Sequence, residues 1–327
     1  MFGSRIITTL TGLRRGATTL VRPTPSRFEG RGKNAAIAVV FRSPLSTGHS
    51  SNSEVEKKIA YLNREIQQLY GDHQFETAIG RAEELKETAQ EHYGQSHPVY
   101  ASALNNLGLL NKSLGNYDKA IELYSNSVIH YQDSVGKEHP STATAIHNVG
   151  LTFKDMAAQH TGLVKLDLLE KAKDVLQECL DLRKEVLDTG HHDVATTMSA
   201  LALVKNSLKE EDEAVEMMTE AVLVLKDQEA QGGRKNVAKA VTTGTMVNNL
   251  GYLLKQQGKF VESKVAYEEA LERRRELYHE DHPNVLITMQ NLSELERAMG
   301  NEDAAVALQQ EILDILGAED GKGGAEN

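Results

Sequence analysis

The sequence contains no tryptophan and only one cysteine, Cys179, in 327 residues. A single cysteine excludes any disulfide within the chain, which indicates a reducing or redox-neutral compartment. Aromatic residues make up only 5% of the chain, which suits a helical protein packed with leucine, alanine and valine. Long apolar runs are also absent. The stretch AAIAVVF has only seven residues, too few to cross a bilayer, so we expect no stable membrane insertion.

Motifs that carry chemistry are absent as well. The chain has no P-loop, GxSxG, HExxH or CxxC pattern, so we expect no catalytic residue and no cofactor. The segment HEDH at residues 279–282 has the residue types of a metal site. It corresponds, however, to GKEH at residues 136–139, where a turn is expected, and we predict a turn without a metal. Cys179 is predicted to be buried and inert, with a reactive thiol as the alternative.

Charge is distributed unevenly along the chain. The net charge is −11, yet the first 50 residues carry seven arginines and one lysine against a single acid, Glu29. That segment is therefore at +7 and the remaining residues are at −18. An acidic body argues against a nucleic-acid surface, because phosphate binding needs clustered positive charge.

The first 50 residues have the composition of a mitochondrial transit peptide. They are rich in arginine, serine and threonine and almost free of acid. Four apolar residues recur there at helical spacing: Ile6, Ile7, Leu10 and Leu13. We predict a mitochondrial targeting segment over residues 1–50, with cleavage near residues 43–53. Plastid import is one alternative, and a disordered basic tail on a cytoplasmic protein is another.

An internal repeat covers most of the chain. The word NNLG occurs at Asn105–Gly108 and at Asn248–Gly251, and the dipeptide His-Pro marks the start of three units. The basic period is 42 residues, with two longer units. Repeats 1 to 6 span residues 55–96, 97–138, 139–190, 191–239, 240–281 and 282–316. The repeat region runs over 53–316, and the tail 317–327 is predicted to be disordered.

Position numbers below are offsets from the first residue of each repeat, which is position 0, and the ten-residue insertion of repeat 3 is left out of the count. Each repeat has the pattern of two amphipathic helices, A and B. Position 11 is small in repeats 2 to 6, which predicts that helix A lies close to helix B there: Gly108, Gly150, Ala202, Gly251 and Ser293. Position 23 is alanine in five repeats and Ser263 in repeat 5.

These features resemble the tetratricopeptide repeat, and the 42-residue period with HP and NNLG resembles the longer subtype found in kinesin light chains. The resemblance implies an all-α fold, a right-handed α-α superhelix of about five to six helix-turn-helix units whose concave groove binds a peptide. Kinesin light chains carry a long coiled coil ahead of their repeats. Here only two heptads are available, which argues against motor attachment: Ile59, Leu62, Ile66 and Leu69.

A helical projection gives helix A two faces. Positions 7, 10, 11 and 14 form the face toward helix B, and positions 5, 8, 9, 12 and 16 form the face that the resemblance assigns to the groove. Polar residues at positions 8 and 9 and basic residues at position 15 predict binding of an extended, acidic peptide. The candidate groove residues are Asn105, Asn106, Lys112, His147, Asn148, Lys154, Asn248, Asn249, Lys255, Gln290, Asn291 and Arg297. Two alternatives remain: asparagines that brace neighbouring repeats, and a solvated row of charges.

The sequence thus predicts a non-enzymatic scaffold for protein–protein interaction in mitochondria. Its partner would be an acidic protein or peptide rather than a nucleic acid, and its oligomeric state is left open. A kinesin light chain-like motor cargo adaptor and a mitochondrial respiratory-complex assembly factor of the same repeat class are the alternatives. Two segments offer other partner contacts: a lengthened turn within MAAQHTGLVKLDLLEK, residues 156–171, and a flexible loop KDQEAQGGRKN, residues 226–236.

Overall fold

The computed structural model describes residues 50–231 and 237–320, and in these ranges it is built of helices without strands. The chain divides into two compact units at Leu187. The N-terminal unit contains α1 Ser50–Gly71, α2 Phe75–Tyr93, α3 Pro98–Ser113, α4 Tyr117–Val135, α5 Pro140–Ala157 and α6 Gly162–Val186. The C-terminal unit contains α7 His192–Ser207, α8 Glu211–Gln231, α9 Val237–Gln256, α10 Phe260–Arg275, α11 Pro283–Ala298 and α12 Glu302–Asp320.

Within each unit, consecutive helices pack as antiparallel pairs, and each pair packs on the next. Odd-numbered helices are helix A of their repeat and even-numbered helices are helix B. This confirms the predicted all-α fold of repeated helix-turn-helix units. None of the described helices combines the length and the apolar composition needed to cross a membrane.

Histidine caps four of the A helices. In each case its Nδ1 accepts a hydrogen bond from the backbone N–H two residues later, at 3.1–3.3 Å. The four caps are His97, His139, His191 and His282. Proline follows three of them, since the first N–H of a helix has no partner within the helix to lose. The HP dipeptide is thus a helix-start signal.

The turns from helix A to helix B need a residue with positive φ. Gly115, Gly258 and Gly300 supply it at φ of 78°, 72° and 84°. Repeats 1 and 4 use His73 and Lys209 instead, at φ of 58° and 70°. These turns are short because one left-handed residue reverses the chain.

The contact between helices A and B is as close as positions 11 and 23 predict. A Cβ added to Gly108 would lie 2.8 Å from Cδ1 of Tyr124, and one added to Gly251 would lie 2.8 Å from Cδ1 of Tyr267. On the facing helix, the position-23 residues are fully buried: Ala78, Ala120, Ala172, Ala214, Ser263 and Ala305. Ser263 also donates its hydroxyl to the Gly251 carbonyl at 2.7 Å. Small residues therefore set the spacing of each helix pair.

Three segments differ from the sequence-based expectation. The ten-residue insertion of repeat 3 is helical instead of a longer turn: α5 and α6 have 18 and 25 residues, against 16 and 19 in α3 and α4. The predicted loop 226–236 is wrong up to Gln231, where α8 ends. Helix α12 likewise continues through Asp320, into the predicted tail. The predicted targeting segment up to residue 49, residues 232–236 and the tail beyond Asp320 lie outside the described residues.

Candidate functional site

The predicted groove face is the most accessible side of several A helices. In the N-terminal unit, Thr144, Asn148 and Asp155 of α5 are partly exposed, while the equivalent Ser102 and Asn106 of α3 are buried. In the C-terminal unit, α9 and α11 expose this face from end to end: Thr245, Asn249, Tyr252, Gln256, Ile287, Asn291, Glu294 and Ala298. Each unit therefore presents an open row built from helix A.

The asparagines of neighbouring repeats bind one another. The position-9 amide donates from Nδ2 to Oδ1 of the position-8 asparagine one repeat earlier. This occurs three times: Asn106 to Asn63 at 3.3 Å, Asn148 to Asn105 at 3.0 Å and Asn291 to Asn248 at 3.2 Å. The partners are 43 residues apart, one more than the period. These bonds brace one helix A against the next, which is the alternative left open by the sequence.

Burial separates positions 8 and 9. Asn105, His147 and Asn248 at position 8 are buried between helices, whereas Asn148, Asn249 and Asn291 at position 9 remain partly exposed. Gln290, in the last repeat, is exposed and donates to Glu294. The open face thus carries the position-9 amides, and position 8 serves the contact between helices.

Three amides on that face keep hydrogen-bonding groups without a partner in the described part of the chain: two have a free oxygen and one has neither group paired. Within the described residues, no hydrogen bond reaches Oδ1 of Asn148 or of Asn291, and the Asn249 amide has neither a donor nor an acceptor partner. Asn106 differs, because its Oδ1 is buried without a partner inside the N-terminal unit. The exposed amides can therefore accept hydrogen bonds from an incoming backbone.

The basic row at position 15 is paired with acids of the same chain. Lys255 lies 3.0 Å from Glu294, and Arg297 lies 3.2 Å from Glu302. In the N-terminal unit one carboxylate serves two lysines, since Asp155 lies 2.8 Å from Lys112 and 3.3 Å from Lys154. Burial alone would raise the pKa of Asp155, but the two lysines outweigh it and hold that pKa below its ordinary value. Only this three-residue cluster keeps a net positive charge among the position-15 pairs.

His147 lies beside that cluster without contributing a charge. Burial, followed by the nearby cations Arg183, Lys112 and Lys154, lowers its pKa well below the ordinary value. The imidazole is therefore neutral at neutral pH and acts as a core side chain. Its predicted place on the groove surface is not what the structure shows.

Sequence reasoning did not name the apolar members of the open face. Tyr252 and Ile287 are 41% and 37% exposed at positions 12 and 5, which the helical projection had already placed there. The helical projection places both side chains on this face, but a single exposed apolar residue is common on protein surfaces and does not by itself predict a binding site. An aromatic and an aliphatic side chain on this face offer contacts for apolar side chains of a bound segment.

The residues with reactive or metal-binding side chains that the sequence singled out have structural roles. Cys179 is fully buried, with its S–H 3.2 Å from the carbonyl oxygen of Ala143. His282 of the HEDH segment caps α11, as expected for a turn between repeats. Among the described residues, histidine, cysteine, aspartate and glutamate form no group of three or more with the arrangement of a metal site.

Several solved structures share this fold. A protein described as a kinesin light chain with nearly identical TPR-like repeats, from Podosopora anserina, aligns with a TM-score of 0.53 and 17% identity over 70% of this chain and 99% of that one. BtubC (BKLC) from P. vanneervenii aligns with a TM-score of 0.58 and 19% identity over 82% and 92%. The apo quorum sensor NprR from B. thuringiensis aligns with a TM-score of 0.57 and 13% identity over 82% and 66%.

At these identities the likeness is one of fold. No curated protein matches in sequence. The family profile described as "Tetratricopeptide repeat" matches residues 100–161, 162–226 and 242–318, which together make up more than half of the chain. With its helix pairs and its small residues at the contact between them, the chain belongs to the tetratricopeptide repeat family.

Proposed function

We propose that this protein is a non-enzymatic scaffold that binds an extended segment of a partner protein along the open face of its A helices. Tetratricopeptide solenoids use extended concave surfaces for binding. The observation that carries the proposal is the set of part-exposed position-9 amides with free oxygens: Asn148 in the N-terminal unit, and Asn249 and Asn291 on adjacent repeats of the C-terminal unit.

The internal braces prepare these amides for binding. Because Nδ2 of Asn148 is held by Asn105, its Oδ1 is fixed in orientation before any partner arrives. The same holds for Asn291, which is held by Asn248. An acceptor that is already ordered loses less side-chain entropy on binding a backbone N–H. A segment of extended backbone, which offers one donor per residue, suits such a row.

The cluster Lys112–Asp155–Lys154 supports a preference for acidic residues in the bound segment. Two ammonium groups share one carboxylate there, so a second carboxylate from the partner would complete the pairing. The one-to-one pair Lys255–Glu294 offers no such vacancy. We place the acidic preference at the N-terminal unit for this reason.

The mitochondrial location remains a proposal that rests on the +7 charge of the first 50 residues. Mass spectrometry of the native protein should find an N-terminus near residues 43–53. An intact Met1 in a cytosolic fraction would argue against it. A motor-adaptor role is disfavoured because Ile59, Leu62 and Ile66 are buried in repeat 1, where they cannot pair in a coiled coil.

The binding test separates groove residues from braces. Partners recovered from mitochondrial extract by the wild-type protein are quantified against Asn249→Ala, which removes an amide without an internal partner. We expect capture to fall about threefold to tenfold, the loss of one hydrogen bond, without a change in melting temperature. Asn63→Ala is the matched control, because that buried amide braces Asn106, which is itself buried and not part of the open face. Equal capture by Asn249→Ala and wild type would refute the proposed face.

The charge preference is tested on the same partners. Lys112→Gln and Lys154→Gln should weaken capture of acidic segments and flatten its salt dependence. Asp155→Asn should strengthen capture, because it frees both lysines. Lys255→Gln serves as the paired control in the C-terminal unit. If Asp155→Asn leaves capture unchanged, the bound segment is not held by charge at this cluster.

A further inference from the structure

The last helix exposes apolar residues at three positions that helix α4 buries. Val306, Leu313 and Leu316 of α12 are 52%, 61% and 43% exposed, at positions 24, 31 and 34. The equivalent residues of α4 are buried where helix α5 packs on it: Ile121, Val128 and Tyr131. Within the described residues no helix follows α12. Its surface is therefore shaped to receive another helix A.

The junction between α10 and α11 shows which positions meet when a helix A packs on a helix B. Arg274 at position 34 donates to Thr288 at position 6 of the next repeat. Lys264 at position 24 pairs with Glu296 at position 14, at 2.6 Å. The asparagine braces add a third rule, since position 9 of one helix A meets position 8 of the one before.

Helix α1 offers suitable residues at all three of these positions. Tyr61 at position 6 is 56% exposed, Leu69 at position 14 is half-buried and Arg64 at position 9 is exposed. If α1 packed on α12 as the next helix A does on a helix B, these three residues would meet residues of the last repeat. The resulting pairs are Tyr61 with Leu316, Leu69 with Val306, and Arg64 with the exposed Gln290.

Charge favours the same arrangement. The outer face of α1 carries the exposed bases Lys57 and Arg64, and the outer face of α12 carries the exposed acids Asp303 and Asp314. Opposite charges on the two faces favour their association and disfavour pairing of α12 with another α12. Apolar contacts and charge thus select the same partner helix.

We propose that a second copy of this chain docks its helix α1 on α12, so that copies associate head to tail. The interface is heterologous, because each copy contributes two different surfaces. The interface does not involve the open face of the A helices, so its test is independent of the peptide-binding proposal. Few large apolar residues take part, and the association is correspondingly weak, in the micromolar range or above.

Sedimentation velocity of the full chain from about 1 to 300 μM tests the proposal. The wild type should show a rising average mass with concentration. Tyr61→Glu blocks one surface and Leu316→Glu the other, and each should weaken self-association at least about tenfold, since a charge would be buried without a partner. Both residues are exposed, so thermal melts should match the wild type. Val261→Glu, 68% exposed on α10, is the control that should associate normally.

Mixing the two blocked variants gives the decisive result. Each retains one intact surface, so the mixture should form a one-to-one dimer and nothing larger. A wild type that stays monomeric throughout would overturn the proposal. So would a mixture that stays monomeric. Loss of association in Leu316→Glu but not in Tyr61→Glu would show instead that α12 binds another α12.

Discussion

At the scale of single residues, the absence of a side chain matters as much as its presence. Gly108, Gly150 and Gly251 lie where a methyl group would come within 2.6–2.8 Å of the facing helix. Gly80, by contrast, lies on an exposed stretch of α2 with nothing within 4 Å of its would-be Cβ. The two kinds of glycine should respond in opposite ways to the same substitution.

Gly108→Ala should destabilise the protein by about 1–3 kcal/mol, because Tyr124 must move to make room. Gly80→Ala should be neutral or stabilise by up to about 1 kcal/mol, since alanine restricts the unfolded chain and favours helix. Urea unfolding followed by circular dichroism measures both. Equal behaviour of the two variants would contradict the close contact between helices A and B.

The sequence identified this contact because steric closeness restricts residue size. It could not assign the asparagines in the same way. A helical projection shows which way Asn105 and Asn148 face, but not which neighbouring helix reaches them. Position 8 proved to lie between helices because the helix A of the next repeat covers it. The two asparagines of each pair are 43 residues apart, one more than the period, and this offset cannot be identified until the contact is known.

At the scale of helices, the asparagine pair is the link from one repeat to the next. Asn148→Ala should cost about 1–3 kcal/mol, because it leaves Oδ1 of the buried Asn105 without a donor. The double variant Asn105→Ala/Asn148→Ala should cost less than the sum of the single changes, with a coupling of about 0.5–3 kcal/mol. Urea unfolding of all four proteins completes the cycle. Asn249→Ala, which removes no internal bond, should stay within about 0.5 kcal/mol of wild type. If the free-energy costs of Asn105→Ala and Asn148→Ala add exactly in the double variant, the two amides do not brace the repeats.

The insertion of repeat 3 shows how helix propensity decides the structure of added residues. Insertions are expected in turns, and the sequence predicts a lengthened turn here. Its residues, however, include leucine, lysine and glutamate, which are strong helix formers, and α6 is longer than α4, with 25 residues against 19. Local propensity was the better guide here. The extension exposes Leu163 at 84%, the most exposed large apolar residue in the described chain.

At the scale of the molecule, neutral histidines couple stability to pH. Burial lowers the pKa of His97, and burial with nearby cations lowers that of His147. The unfolded chain binds these protons near the ordinary imidazole value of about 6.5, while the folded chain resists them. Stability is therefore full above that value and falls as the pH drops below it. Protonation of His97 would also remove the Nδ1 acceptor that caps α3.

We expect the free energy of unfolding to fall by at least about 1 kcal/mol between pH 7.5 and 5, the worth of one N-cap. Urea unfolding across that range measures it. Carboxylates such as Asp155, whose pKa is lowered, add their loss at more acidic pH, near and below their ordinary values. His147→Asn, which places the residue found at position 8 of repeats 1, 2 and 5, should reduce the slope. A flat profile down to pH 5 would mean that neither imidazole is protected from protons.

The asparagine braces also determine where the chain can accept extra residues. Each one joins a fixed place in one helix A to a fixed place in the next, so adding a single residue between cap and brace would rotate every later side chain by about 100°. The two longer repeats obey this limit, because the extra residues of repeat 3 lengthen α5 beyond Asn148 and lengthen α6, and those of repeat 4 follow α7. A tag or a reporter loop should therefore be accepted at residues 158–161, between α5 and α6, and rejected inside α5.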